Sequence, residues 1–208
     1  MGSEVPKQFL LVGDRPVLMH TLNVFYEALP DFHLILVIPE EHFSFWESLC
    51  LKYNYIKPFL LVKGGTSRYQ SVKNGLVLVP EDALVAIHDG VRPFPGIEMI
   101  QRVFKHAEEN GNAIPVMPLN DSIRKIEGTE NMAVDRSLYR LVQTPQCFHA
   151  KLLKDCYQKT TTDAFTDDAS VLDAFGIKIN FIDGENGNIK ITRKEDLSYA
   201  EFLLSAKK

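Results

Sequence analysis

Short apolar runs alternate with amphipathic stretches along most of this chain. Residues 33–38 (His-Leu-Ile-Leu-Val-Ile), 58–63, 84–88, 113–118 and 177–182 have strand length and few interior charges, so they read as buried strands. Helical periodicity fills the spaces between them, at 16–29, 68–79, 97–110, 167–175 and 193–206. Pro16 sits near the first turn of its helix, where a missing N–H costs nothing. Ser67 with Gln70 and Thr192 with Glu195 have capping-box spacing. Thr166 is a cap for 167–175, and Gly111 and Gly176 mark helix ends. Strands alternating with helices predict an α/β fold, with parallel crossovers and a sheet covered on both faces.

Two regions break the rhythm. Within 119–146, two extended pieces, Asp121–Ile126 and Met132–Val142, flank Glu-Gly-Thr-Glu-Asn, a turn signal. Such a hairpin does not easily join a parallel sheet. It reads either as an arm burying its apolar side on a second subunit or as a surface hairpin folded back on its own domain, and the arm is the preferred reading. The start is also unusual: only Phe9–Val12 resembles a strand before the first helix, with no glycine-rich turn after it.

Composition narrows the function classes. The 208 residues suffice for one domain of full core size. A formal charge of −4 argues against a nucleic-acid partner and says nothing about small anions. The apolar runs are strand-sized, so no transmembrane helix is expected, and no signal-peptide pattern opens the chain. Cys50, Cys147 and Cys156 show no CxxC spacing, which fits a reduced, cytoplasmic setting. The histidines form no HxxxH or HExxH pair, which argues against a zinc enzyme.

The chemistry-bearing segments lie at the ends of the apolar runs. In Leu-Val-Ala-Ile-His-Asp-Gly-Val-Arg-Pro (84–93) a strand stops at Asp89 and Arg92, where open α/β sheets bind ligands. The carboxylate suits a metal and the arginine a phosphate; equally, the two could form a surface pair closing a turn. Gly64-Gly65-Thr66-Ser67-Arg68-Tyr69-Gln70-Ser71-Val72 follows a strand and opens a helix, as an anion-binding turn would. Lys7 alone reads as a surface lysine. Lys190, between two isoleucines, faces away from them, toward a cleft or an exposed edge. Thr166-Asp167-Asp168-Ala169-Ser170 reads as a metal ligand set or as an N-cap with acidic first-turn residues.

Seven segments in order carry a family resemblance: Pro-Lys-Gln-Phe (6–9), Gly-Gly-x-x-Arg-x-x-Ser-Val (64–72), His-Asp-x-x-Arg-Pro (88–93), Val-Asp-Arg (134–136), Thr-Pro-Gln (144–146), Thr-Asp-Asp-Ala-Ser (166–170) and Asn-Ile-Lys-Ile-Thr (188–192). The chain resembles the 2-C-methyl-D-erythritol 4-phosphate cytidylyltransferases over almost its whole length. The resemblance implies a Rossmann-like nucleotidyltransferase fold, a Mg²⁺ requirement, and a homodimer in which the arm of each subunit helps complete the other's site. It implies cytidylyl transfer from CTP to methylerythritol phosphate, with pyrophosphate released. By motif position, Lys7 and Lys190 would stabilise the transition state, and Asp89 would hold the metal or orient substrate with Arg92 behind it. Gly65, Thr66, Arg68, Ser71 and Gly90 would line the CTP pocket. Arg136 would bind the acceptor phosphate across the dimer, with Asp121, Ser122, Thr144 and Thr166 nearby.

Departures from the family are specific. Thr66 stands where many members carry an acidic residue, and Gly90-Val91 where many have Ala-Ala. The family also opens with a strand and a glycine-rich loop, of which Met1-Gly2 resembles only the last two residues. The expectation is a start at an internal methionine, with weak CTP binding and slow turnover by this form. A ribitol-5-phosphate cytidylyltransferase is the nearest alternative, and an inactive nucleotidyltransferase-fold binding protein is the alternative from another class.

Overall fold

A computed structural model describes residues 5–160 and 162–206. Met1 and Gly2, and the family comparison resting on them, lie outside the described residues. A 3-10 turn at Lys7–Phe9 leads into a small hairpin of β1 (Leu11–Val12) and β2 (Arg15–Pro16). The helix α1 (Val17–Ala28) starts after Pro16, which stands one residue outside the helix as its N-cap. The strands β3 (Ile35–Ile38) and β4 (Leu60–Lys63) pair in parallel, with the helix α2 (Phe43–Lys52) between them. Sequence periodicity did not reveal α2. It is held by Trp46 and Leu49, which pack on Leu36, Ile38 and Phe9.

The helix α3 (Arg68–Leu76) is capped by Ser67, whose hydroxyl accepts from the Gln70 N–H at 3.1 Å. The Gln70 side chain turns instead to Asn74, so only half of the expected box forms. Next come β5 (Leu84–Ile87), α4 (Ile97–Asn110) and β6 (Asn112–Pro118). The predicted stop at Gly111 is met with φ +85°, a left-handed C-cap. The exposed hairpin β7 (Ile123–Glu127) and β8 (Glu130–Val134) forms a two-stranded sheet of its own. The second extended piece is divided. After β8 a 3-10 turn (Arg136–Leu138) leads to β9 (Arg140–Val142), which pairs antiparallel with β6 and roots the arm in the main sheet.

A short strand unseen in the sequence, β10 (Gln146–His149), runs antiparallel between β5 and β6. It is followed by α5 (Ala150–Lys159), α6 (Asp168–Asp173), β11 (Phe181–Asp183) and α7 (Lys194–Ala206). The cap of α6 is Asp167 rather than Thr166, and α7 is anchored by Asp196 rather than Glu195, accepting from the Thr192 and Arg193 N–H groups. The main sheet has the order β11-β6-β10-β5, with β9 also on β6. Because β11 is parallel to β6 and β10 opposes both β5 and β6, the strands β5, β6 and β11 share one direction. The sheet is thus mixed, with β9 and β10 running against the three parallel strands. Side chains alternate across it. Ile114, Val116 and Phe148 pack beneath α3, α5 and α6, whereas Ala113 and Cys147 meet Met99, Val103 and Ala107 of α4. Helices therefore cover both faces. The cysteines are free, and burial pushes the Cys147 thiol up to about 12.

Candidate active site

The carboxyl end of β5 opens into a cleft of about 410 Å³ whose lining includes Arg68, Asp89, Arg92, Thr144, Thr166 and Lys190. Asp89 is its electrostatic centre. Lys190 Nζ lies 2.9 Å from Oδ2, Arg92 Nε 3.4 Å from the same oxygen, and Arg68 Nε 3.9 Å from Oδ1. Burial pushes the Asp89 carboxyl up, but Lys190, Arg68 and Arg92 outweigh it and hold the pKa below the usual carboxylate range. Three cations from three distant segments thus meet at one carboxylate. A surface Asp–Arg pair does not need Arg68 or Lys190.

Arg68 has a second anchor. Its Nη2 donates to Asp168 Oδ2 at 2.6 Å, and Tyr157 Oη donates to Asp168 Oδ1 at 2.6 Å. Asp168 is fully buried. Its backbone N–H and that of Ala169 both donate to Gln146 Oε1. Burial lowers the Arg68 pKa, but Asp168 overrides it and holds the guanidinium above its ordinary value. Asp167 does the capping, whereas Asp168 is the counter-charge beneath the cleft.

The glycine-rich turn is tightly built. Ser71 Oγ accepts from Gly65 N at 3.0 Å and donates to the Ser67 carbonyl at 2.9 Å. A Cβ on Gly65 would lie 2.4 Å from Gln70 Cβ, so packing alone demands glycine there. Thr66 is exposed. Thr21 of α1 donates to the Gly90 carbonyl at 3.0 Å, tying down the turn after Asp89.

Other expected residues lie outside the cleft lining. Lys7 is half-buried in the first 3-10 turn. Asp121, Ser122 and Arg136 are exposed at the root of the arm, where Arg136 donates to the Asn120 carbonyl. Residues that sequence reasoning passed over fill the space behind the cations. His88 is half-buried, and burial pushes its pKa down to about 4. Gln143 and Asn188 are buried, and Asn188 donates to Gln143 Oε1 at 3.2 Å. Asn188 opens the motif at 188–192, but an uncharged side chain gave no chemical reason to assign it a role. Among the described residues no trio of His, Cys, Asp or Glu gathers to hold a metal, and no helix is long and apolar enough to cross a membrane.

A three-layered α/β domain with a cationic cleft at its strand ends defines a Rossmann-like nucleotidyltransferase. The family model IspD, 2-C-methyl-D-erythritol 4-phosphate cytidylyltransferase, matches residues 1–206. The chain belongs to this family. It is 45% identical over 204 residues to the enzyme of that name from Bacteroides thetaiotaomicron, covering 98% of this chain and 93% of the relative. To that of Bacillus thuringiensis it is 36% identical over 211 residues, covering 100% and 93%. Its fold matches the 4-diphosphocytidyl-2C-methyl-D-erythritol synthase of Anaerococcus prevotii with a TM-score of 0.85 at 29% identity, covering 98% of this chain and 92% of that one. The 2-C-methyl-D-erythritol 4-phosphate cytidylyltransferase of Thermus thermophilus matches with a TM-score of 0.79 at 32% identity, covering 96% and 94%.

Proposed function

We propose that this chain transfers the cytidylyl group of CTP to 2-C-methyl-D-erythritol 4-phosphate. An acceptor phosphate oxygen bonds to the α-phosphorus as the bond to the bridging oxygen of pyrophosphate breaks. Family membership supports the reading, and the observation that carries it is the meeting of Arg68, Arg92 and Lys190 on Asp89. In-line phosphoryl chemistry needs alignment and positive charge more than covalent help. Lys190 is 46% exposed, so its ammonium can exchange Asp89 for a phosphate without breaking the core. Lys7 would supply a second cation, with Gly65, Thr66, Arg68, Ser71 and Gly90 along the nucleotide.

Asp89 also suits a magnesium ion. Mg²⁺ is ordinarily held by one or two carboxylates together with substrate phosphates, so Asp89 fits without a complete protein cage, and none forms among the described residues. Bound there, the ion would neutralise phosphate charge. In this reading one domain spans the chain, segment 119–146 is its dimerisation arm, and the protein works in the cytoplasm. Exposed Ile126, Met132, Leu138 and Leu141 on the arm support a second subunit. Arg136 with Asp121, Ser122, Thr144 and Thr166 would then receive the acceptor.

Pyrophosphate release from CTP and Mg²⁺ with methylerythritol phosphate tests the reading. Release with that acceptor alone is expected. Release only with ribitol 5-phosphate reassigns the acceptor, and CTP binding without release points to a binding protein. Lys190→Ala is expected to lower kcat by about a hundred- to a thousandfold, as loss of one preorganised charge donor does, while its melting temperature stays close to that of the parent.

A further inference from the structure

Behind the charged groups, four hydrogen bonds close into a ring. Thr144 Oγ1 lies 3.0 Å from His88 Nδ1, and His88 Nε2 lies 3.0 Å from the Arg92 carbonyl. Arg92 Nη1 donates to the Asn188 carbonyl at 2.7 Å, and Asn188 Nδ2 donates to the Thr144 carbonyl at 2.8 Å. The ring joins residues far apart in sequence, and each cleft group of interest is attached to it. The Asp89 N–H donates to Thr144 Oγ1 at 3.1 Å, Arg92 is a member, and Lys190 is two residues from Asn188.

The donors can be assigned. A carbonyl only accepts, so the Arg92 oxygen requires the proton on His88 Nε2. Nδ1 is then left to pair with the Thr144 hydroxyl at 3.0 Å. That hydroxyl therefore makes two hydrogen bonds inside the protein, accepting from the Asp89 N–H and pairing with His88 Nδ1.

We infer that His88 is a positioning residue for the transfer reaction, acting with Thr144 to fix the backbone that presents Asp89, Arg92 and Lys190. This rests on the proposed cytidylyl transfer for its kinetic consequence, and on the geometry alone for the ring. Thr144 then serves the acceptor site by holding the turn through its hydroxyl. A purely packing role for His88 is the competing account, since its ring also meets Phe25 edge-on at 5.0 Å.

His88→Phe keeps an aromatic ring against Phe25 and removes both ring hydrogen bonds; Thr144→Val removes the hydroxyl at constant shape. Each is expected to lower kcat about a hundredfold, the scale of a misplaced reacting group, with the KM for CTP changed less than about threefold. The double variant should be no worse than about threefold below the poorer single, because both cut one device. Thr144→Ser should return to within about threefold of the parent. Rates are compared per folded molecule, matched by circular dichroism. Losses that multiply, or a His88→Phe enzyme as fast as the parent, overturn the inference.

A second readout does not depend on turnover. Long-range proton–nitrogen NMR of the intact protein should find His88 protonated on Nε2, and Thr144→Val should shift its Nδ1 resonance. An Nε2 without a proton, or no response to Thr144→Val, overturns the ring whether or not His88→Phe folds. The expected spectra from a chain that releases no pyrophosphate would count against the proposed reaction and leave the ring standing.

Discussion

Asp168 and His88 show how single residues are made by their surroundings. Asp168 is fully buried, and Arg68 and Tyr157 each approach it to 2.6 Å. Removing it leaves a guanidinium and a phenol without their acceptor. Asp168→Ala should cost about 2–4 kcal/mol in urea unfolding, below the full price of a broken buried pair because Arg68 is partly exposed. Tyr157→Phe should cost only about 1 kcal/mol, since Arg68 still satisfies the carboxylate. His88 makes stability depend on pH. Its folded pKa, about 4, lies below the ordinary 6.5. Above 6.5 it is neutral in both states. As pH falls through that value the unfolded chain takes up a proton that the native state refuses. Stability should therefore decline from about pH 6.5 toward pH 4, then level with respect to this group. Thermal melts in chelated buffer should show this slope in the parent and a shallower one in His88→Phe.

At the scale of elements, local signals and distant packing divide the work. Ser67, Gly111 and the apolar runs of β3 and β5 act through neighbours a few residues away, so their roles were legible in sequence. The helix α2 and the strand β10 were not. One is built on an aromatic cluster drawn from three segments; the other is four residues containing Gln146 and His149, too mixed to announce a strand. Glycines separate in the same manner. Gly111 has φ +85° and open space around it, so Gly111→Ala should cost about 1 kcal/mol of backbone strain, or a few degrees in melting temperature. Gly65→Ala should cost more, because its Cβ would collide with Gln70. A comparison of the two melts checks this order.

For the whole molecule, the proposed dimer rests on the arm. Its register places Ile123, Met132 and Val134 on one face, and Ile126 and Ala133 on the other. Ile126 is 67% exposed and Met132 50%, more apolar surface than a free hairpin gains by displaying. The parent is expected to sediment as a dimer, and Ile126→Glu with Met132→Glu to give a folded monomer with reduced turnover. A variant still dimeric by sedimentation, with unchanged activity, would reject the arm as the interface.

The sequence by itself determined the α/β alternation, most helix ends, and the charged residues of the cleft. Each rests on short-range physics: side-chain period, caps, and charges stranded at the ends of apolar runs. It carried Asp89, Arg92 and Lys190 as candidates but left each balanced against a surface role. Only the tertiary structure decided that they share one cleft with Arg68, that Asp168 is a counter-ion while Asp167 caps, and that Lys7 and Arg136 lie outside the cleft lining. Arg68 and Asp168 stand 100 positions apart, as His88 and Thr144 stand 56. Hydrogen bonds of that span follow from how β10 is inserted between β5 and β6, a pairing that no local pattern encodes.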